Sequence, residues 1–283
     1  MSEDLKQGCA PSECGSKPAC AGCAANKNAP QAPEKEPPKV RKVIGVVSGK
    51  GGVGKSLVSG ELAVMLRRMG YRVGILDADI TGPSIPHMFG VRQRTYGDGV
   101  KIFPAKTMTG IKIISVNLLL ENDESPVVWR GPVIAGAVKQ FWEDVDWGEL
   151  DVMVIDMPPG TGDVPLTVFQ SIPLDGVIVV STPQDLVGMI VRKAVNMASM
   201  MNIPVLGLVE NMSYALCPDC GKRIEIFGKS RIAQEAANLS LPVLAQLPFD
   251  PKAAALCDEG AIESVDNPVM ADAAAAVAGQ VRL

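Results

Sequence analysis

The run Gly49-Lys50-Gly51-Gly52-Val53-Gly54-Lys55-Ser56 constrains this chain more than any other feature. It fits the pattern G-x-x-x-x-G-K-[ST], with an apolar run before it and a helical pattern after it. A strand that turns into a helix through glycines presents a nest of backbone N–H groups at the positive end of a helix dipole. Glycine has no Cβ to hold a phosphate away. Residues 49–56 are therefore expected to cradle a nucleoside triphosphate. Lys55 would neutralise the β and γ phosphates, and the Ser56 hydroxyl would ligate Mg²⁺. The competing reading, a Gly-rich turn that binds nothing, has to ignore eight residues in register with correct flanks.

The rest of the chain gives that loop a setting. Short β-branched runs occur at 43–48, 71–77, 151–156, 176–181 and 203–210. They are near-continuously apolar, as parallel strands covered on both faces must be. Between them, Val58, Leu62, Met65 and Met69 share one helical face in 56–69, and Gly70 ends that helix. Val187, Ile190, Val191, Ala194 and Ala198 do the same in 186–201. Alternating strand and helix predicts an α/β fold, a doubly wound, mainly parallel sheet with helices on both faces. Its ligand site should lie at the carboxyl ends of the strands. Residues 92–117 fit an irregular or hairpin insertion. The expected domain is 43–283. Before it come a flexible Cys-rich segment, 1–25, and a linker, 26–42, where Pro30, Pro33, Pro37 and Pro38 alternate with charges.

Carboxylates close two of the strands. Asp77 and Asp79 are two apart, so on a strand both would face one Mg²⁺-phosphate site. Asp156 ends Val152-Met153-Val154-Ile155 and suits a metal-holding carboxylate at a strand end. The stretch Asp156-Met157-Pro158-Pro159-Gly160-Thr161-Gly162-Asp163 fits a switch loop, its glycines permitting two backbone states. Asp163 is either part of that site or an N-cap for the next helix. Asn211, after 203–210, is a turn former or a base contact. His87 is the sole histidine, so a histidine base is improbable.

Seven cysteines need explaining. Cys217-Pro218-Asp219-Cys220 offers two thiolates to one metal centre, too few for a tetrahedral zinc or a four-iron cluster. Two copies of the chain across a two-fold axis supply four. A redox dithiol and half of a zinc knuckle are the alternatives. Cys9, Cys14, Cys20 and Cys23 supply four thiolates of their own, for a cluster or for zinc. Cys257, in an Ala-rich helical stretch, fits a buried free thiol. The formal net charge of −4 argues against coating nucleic acid or anionic lipid. Nothing approaches about 18 consecutive apolar residues, and 1–10 has no apolar core, so a cytoplasmic protein is expected.

Lys50 narrows the class. The pattern xKGGxxK[ST] resembles the deviant phosphate loop of the MinD, ParA and nitrogenase iron protein superfamily. There the extra lysine reaches across a dimer to the partner's nucleotide. Four further segments carry a closer resemblance over 41–260: residues 76–86, Trp129-Arg130-Gly131-Pro132, residues 156–163, and Glu210-Asn211-Met212-Ser213 before the cysteine pair. Together they resemble the Mrp-type iron–sulfur carrier ATPases, the ApbC and Nbp relatives. That resemblance implies ATP and Mg²⁺ as cofactors and a homodimer holding a [4Fe–4S] cluster between its Cys217/Cys220 pairs. Slow hydrolysis and delivery of clusters to apo-proteins are also implied, with neither nucleic acid nor membrane as partner. Lys50, Lys55, Asp79 and Asp156 would carry the hydrolysis, Asp77 would support them, and Asn211 would contact adenine. A positioning ATPase of the MinD or ParA type with a structural metal is the alternative, but the end of the chain, from Ala271, has a single cation. An iron-protein reductase draws its ligands from well-separated cysteines. Two departures stand out. Leu57-Val58-Ser59-Gly60-Glu61-Leu62-Ala63 replaces T-V-A-x-N-L-A, and the N-terminal cysteine spacing is not that of the longer Nbp relatives.

Overall fold

The computed structural model describes residues 38–79, 82, 84–98, 101–118, 131–184 and 187–283, without the side chains of 117, 131–135, 163, 164 and 187. Cys9, Cys14, Cys20, Cys23, Trp129 and Arg130 lie outside them. Pro37–Leu283 forms one compact unit. Its elements are β1 (Val40–Ser48), α1 (Lys55–Arg68), β2 (Val73–Asp77), α2 (Ile85–Met88), β3 (Tyr96–Gly97), β4 (Ile102–Phe103), β5 (Ala105–Lys106) and β6 (Lys112–Ile114). Then come α3 (Gly131–Glu143), β7 (Leu150–Asp156), α4 (Asp163–Ser171), β8 (Gly176–Ser181), α5 (Val187–Met200), β9 (Val205–Leu216) and β10 (Arg223–Ile224). The chain finishes with α6 (Ile232–Leu239), β11 (Val243–Pro248), α7 (Pro251–Asp258) and α8 (Pro268–Val281).

Among the described residues seven strands run parallel in the order β11-β9-β8-β1-β7-β2-β6. β5 and β10 add antiparallel partners to β6 and β9. Period-two alternation sorts the core. Ile44 and Val46 of β1, Val152 and Val154 of β7, and Ile178 and Val180 of β8 pack with α1, α2, α7 and α8. Val43 and Val47, Met153 and Ile155, and Val177 and Val179 pack with α3, α4, α5 and α6. Both faces are buried, which is why these strands are apolar throughout. β1 sits between β7 and β8, and the chain builds outward from it in both directions. The carboxyl end of β1 is therefore the switch point where an open α/β sheet binds its ligand.

The structure corrects several expected boundaries. β1 opens at Val40, inside the expected linker, because Val40 and Lys42 pair with Leu150 and Val152. The Asp175 carboxylate also accepts from the Val43 N–H and from Lys42 Nζ, each at 2.8 Å. β9 runs on to Leu216, so Asn211 lies within a strand and not after it. β11 and then β10 keep pairing with it, through a left-handed Met212 at φ 54°. Residues 92–117 are a hairpin insertion only in part. Tyr96 stacks on Phe103 across β3 and β4, but β6 joins the main sheet beside β2 because Ile113 and Ile114 are fully buried there. Gly162 is the N-cap of α4, which puts Asp163 in the first turn and not at the cap; its side chain lies outside the described residues. Among the described residues no helix is long and apolar enough to cross a membrane.

Candidate functional site

Neighbouring elements fix the loop between β1 and α1 from both sides. A Cβ on Gly49 would lie 1.8 Å from Ile190 Cγ2 of α5. Gly54 has φ 79°, and a Cβ there would lie 2.1 Å from Asn211 Nδ2. No side chain caps α1 and its first turn holds no acid, so its free N–H groups face outward to an anion. Asn211 holds this loop to β9: its Nδ2 donates to the Val53 carbonyl at 3.0 Å, and its Oδ1 accepts from the Met212 N–H at 2.9 Å. One amide hydrogen and one lone pair remain for a ligand.

Asp156, fully buried at the end of β7, is the hub of the site. Lys55 Nζ meets its Oδ1 at 2.7 Å, Ser56 Oγ donates to Oδ2 at 2.5 Å, and Ser59 Oγ donates to Oδ1 at 2.8 Å. Ser59 went unrecognised in the sequence. Its signal was there, since positions 55, 56 and 59 share one helix face. Lys55 Nζ also lies 3.4 Å from Asp79 Oδ2. Asp77 does not share that view. β2 ends at Asp77, so the period-two argument stops before Asp79. Asp77 instead sits behind it, accepting from the Asp79 N–H and from Ser115 Oγ, each at 3.1 Å. Burial, and then the charge of Asp156, push the Asp77 carboxyl well above the usual range. Ser56 Oγ and Asp156 Oδ2 together present two hard oxygens at the helix start, a donor set that suits Mg²⁺. Among the described residues no three Asp, Glu, His or Cys side chains form a metal cage. Remaining ligands would have to be water and phosphate, as Mg²⁺ prefers. Lys50 is half-buried, and its ammonium meets Gln184 Oε1 in the loop after β8.

A cavity of about 250 Å³ opens next to Leu57 and Asn211. Glu61, one of the departures in the sequence, lines it at 2 % exposure. Its Oε2 accepts from Asn267 Nδ2 at 2.7 Å, and Asn267 caps α8 through the Met270 N–H. Burial lifts the Glu61 carboxyl from 4.5 to about 7. A carboxyl raised on folding contributes stability below its unfolded value, and that contribution is lost as pH rises through about 7. Glu61→Gln is therefore expected to gain stability over the wild type as pH goes from 5 to 8, by up to about 3 kcal/mol. Urea midpoints at the two pH values measure the gap; an equal gap at both would contradict the buried-charge account.

Cys217 and Cys220 occupy the turn between β9 and β10. The Cys217 N–H donates to the Lys222 carbonyl and the Gly221 N–H to the Cys217 carbonyl, both at 2.9 Å. Cys217 is half-buried, Cys220 is exposed, and both are free thiols. Backbone N–H groups of Cys220 and then Asp219 hold the Cys217 thiol below its ordinary range, the condition of a metal-ligating thiolate. Cys257 is buried in α7, and burial pushes its thiol up to about 11, as befits an inert thiol.

The family model described as ParA, NUBPL iron-transfer P-loop NTPase, matches residues 39–282. An iron-sulfur cluster carrier protein of Clostridium perfringens is 48 % identical over 240 residues, covering 81 % of this chain and 84 % of that one. One from Methanocaldococcus jannaschii is 49 % identical over 224 residues, 78 % and 77 % of the two chains. Among solved structures, a nucleotide-binding protein of Archaeoglobus fulgidus in complex with ADP, in which cobalt was found, superposes with a TM-score of 0.74 at 42 % identity. It covers 82 % of this chain and 91 % of that one. The MinD cell division protein of Aquifex aeolicus shares the fold alone, with a TM-score of 0.59 at 17 % identity over 84 % and 97 % of the chains.

Proposed function

The chain belongs to the family of iron-transfer P-loop NTPases, and from that premise we propose that it hydrolyses ATP to govern the loading or release of an iron–sulfur cluster. One observation carries the coupling. Asn211, which holds the phosphate loop through Val53, and Cys217, which begins the thiol turn, lie six residues apart on or beside the single strand β9. A change at the phosphates has a short, stiff route to the cargo.

In the nucleotide step, residues 49–56 and Lys55 take the phosphates and the base enters the cavity beside Asn211. Lys55 exchanges Asp156 for phosphate oxygens, while Ser59 Oγ keeps its hydrogen bond to Asp156 Oδ1. Ser56 and Asp156 would hold Mg²⁺, which would supply charge neutralisation at the phosphates. Asp79, its turn fixed by Asp77 and Ser115, orients a water. That water's oxygen bonds to the γ-phosphorus while the β–γ bridge breaks, its electron pair leaving on ADP and its proton passing to the released phosphate. Asp163 belongs to the switch that follows Asp156.

The active unit is a homodimer in which Lys50 leaves Gln184 for the partner's nucleotide. Cys217 and Cys220 of both copies bridge one [4Fe–4S] cluster as cargo for apo iron–sulfur proteins, and Cys9, Cys14, Cys20 and Cys23 are a candidate second site. Protein reconstituted with iron and sulfide, mixed with an apo four-iron enzyme, tests this reading. Reactivation of the acceptor is expected to change at least about three-fold on adding Mg-ATP, and Lys50→Ala should remove that response. Equal transfer with and without ATP would sink it.

A further inference from the structure

The cavity beside the phosphate loop carries a chemical bias that phosphate chemistry does not use. Its charged lining is Glu61, Asp250 and Asp266, with no Lys or Arg among its lining residues. Pro248 and Phe249 give it an apolar wall suited to a flat ring. Within that setting Glu61 has a fixed orientation. Its Oε2 is committed to Asn267 Nδ2, and Asn267 Oδ1 is itself committed to the cap of α8. No other hydrogen bond reaches the Glu61 carboxylate among the described residues. Oε1 is therefore the acceptor left to a ligand, on the helix that begins with Lys55 and Ser56.

We infer that Glu61 is a specificity-determining residue of this cavity, selecting a purine with an amino group at C6 over a 6-oxo purine. The inference rests on the nucleotide reading above, and it deepens that reading. A 6-amino group brings a donor to an acceptor-only oxygen. A 6-oxo group sets lone pair against lone pair in a place water reaches poorly. Glutamine at 61 inverts the choice. Asn267 Nδ2 still needs an acceptor, so the Gln oxygen stays on that side and its NH₂ turns to the cavity, where it donates.

The test is calorimetric binding of ATP, inosine triphosphate and purine riboside triphosphate, each with Mg²⁺, to the full chain and to Glu61→Gln. It is run at pH 8.5, where Glu61 is ionised. Purine riboside triphosphate, with a bare C6, controls for the hydrogen that inosine carries on N1. The wild type is expected to prefer ATP over inosine triphosphate by about ten-fold or more, and Glu61→Gln to lose or reverse that preference. If both proteins bind all three nucleotides with the same ratios, the nucleotide reading stands and the role of Glu61 is overturned. If neither protein binds any of them, the nucleotide reading itself falls, and the inference with it. Should Glu61→Gln not fold, Glu61→Ala takes its place: loss of the preference for ATP would uphold the inference, and a wild-type ratio in that variant would overturn it.

Discussion

Lys55→Ala is expected to cut ATP hydrolysis to below about one-hundredth of the wild-type rate while leaving the thiol turn able to take up cluster. Lys55 is the cation that both Asp79 and Asp156 meet, and it is 5 % exposed. Water cannot replace its charge in that position, so charge developing on the phosphates goes unmatched. The same truncation leaves Asp156 buried and unpaired, at a cost of about 3–5 kcal/mol, and so confounds rate with stability. A second variant separates the two. Lys55→Ala with Asp156→Asn removes the orphaned charge, and the double change is expected to recover most of the lost stability and none of the hydrolysis. Phosphate release and urea midpoints on the three proteins decide it. More than a tenth of the wild-type rate in Lys55→Ala would show that the loop backbone alone neutralises the phosphates.

The sheet and the phosphate loop were legible because two independent periodicities agreed. Apolar runs such as 176–181 have to be strands buried on both faces, and the glycines of 49–56 have to sit where a strand becomes a helix. Boundaries set by pairing were not legible. Nothing local in Asn211-Met212-Ser213 marks a strand; β11, paired directly beside β9, imposes it, with Met212 in a left-handed conformation. Val40 and Lys42 belong to β1 only because Leu150 and Val152 lie beside them. At the site, Asp79 and Asp156 both meet Lys55, whereas Asp77 lies behind Asp79 and not beside it on one face, since the end of a strand depends on its neighbours. Ser59 was not singled out at all, and Glu61 was visible as a departure without a role. What each touches, Asp156 and Asn267, lies about 100 and 200 residues away.

Cys217→Ser with Cys220→Ser is expected to abolish the proposed bridging cluster outright, because a serine hydroxyl offers no thiolate at neutral pH. Each chain brings two thiols to the β9–β10 turn, so a four-iron cluster needs two chains and gives about two irons per chain. Cys220→Ser alone is expected to lose as much, since it leaves only two of the four thiolates. Among the described residues no other group of three ligands exists to capture the displaced iron. Iron retained by the double variant is expected at Cys9, Cys14, Cys20 and Cys23, and deleting residues 1–25 should remove it. Iron and sulfide counts, visible absorbance, and EPR after reduction give the shares. The deletion and the double variant are expected to lose complementary amounts. Were zinc to fill the turn in the wild type with no cluster formed under anaerobic iron and sulfide, the turn would be a structural staple. The ATPase would then have no cargo at β9, and the strand joining Asn211 to Cys217 would carry no message.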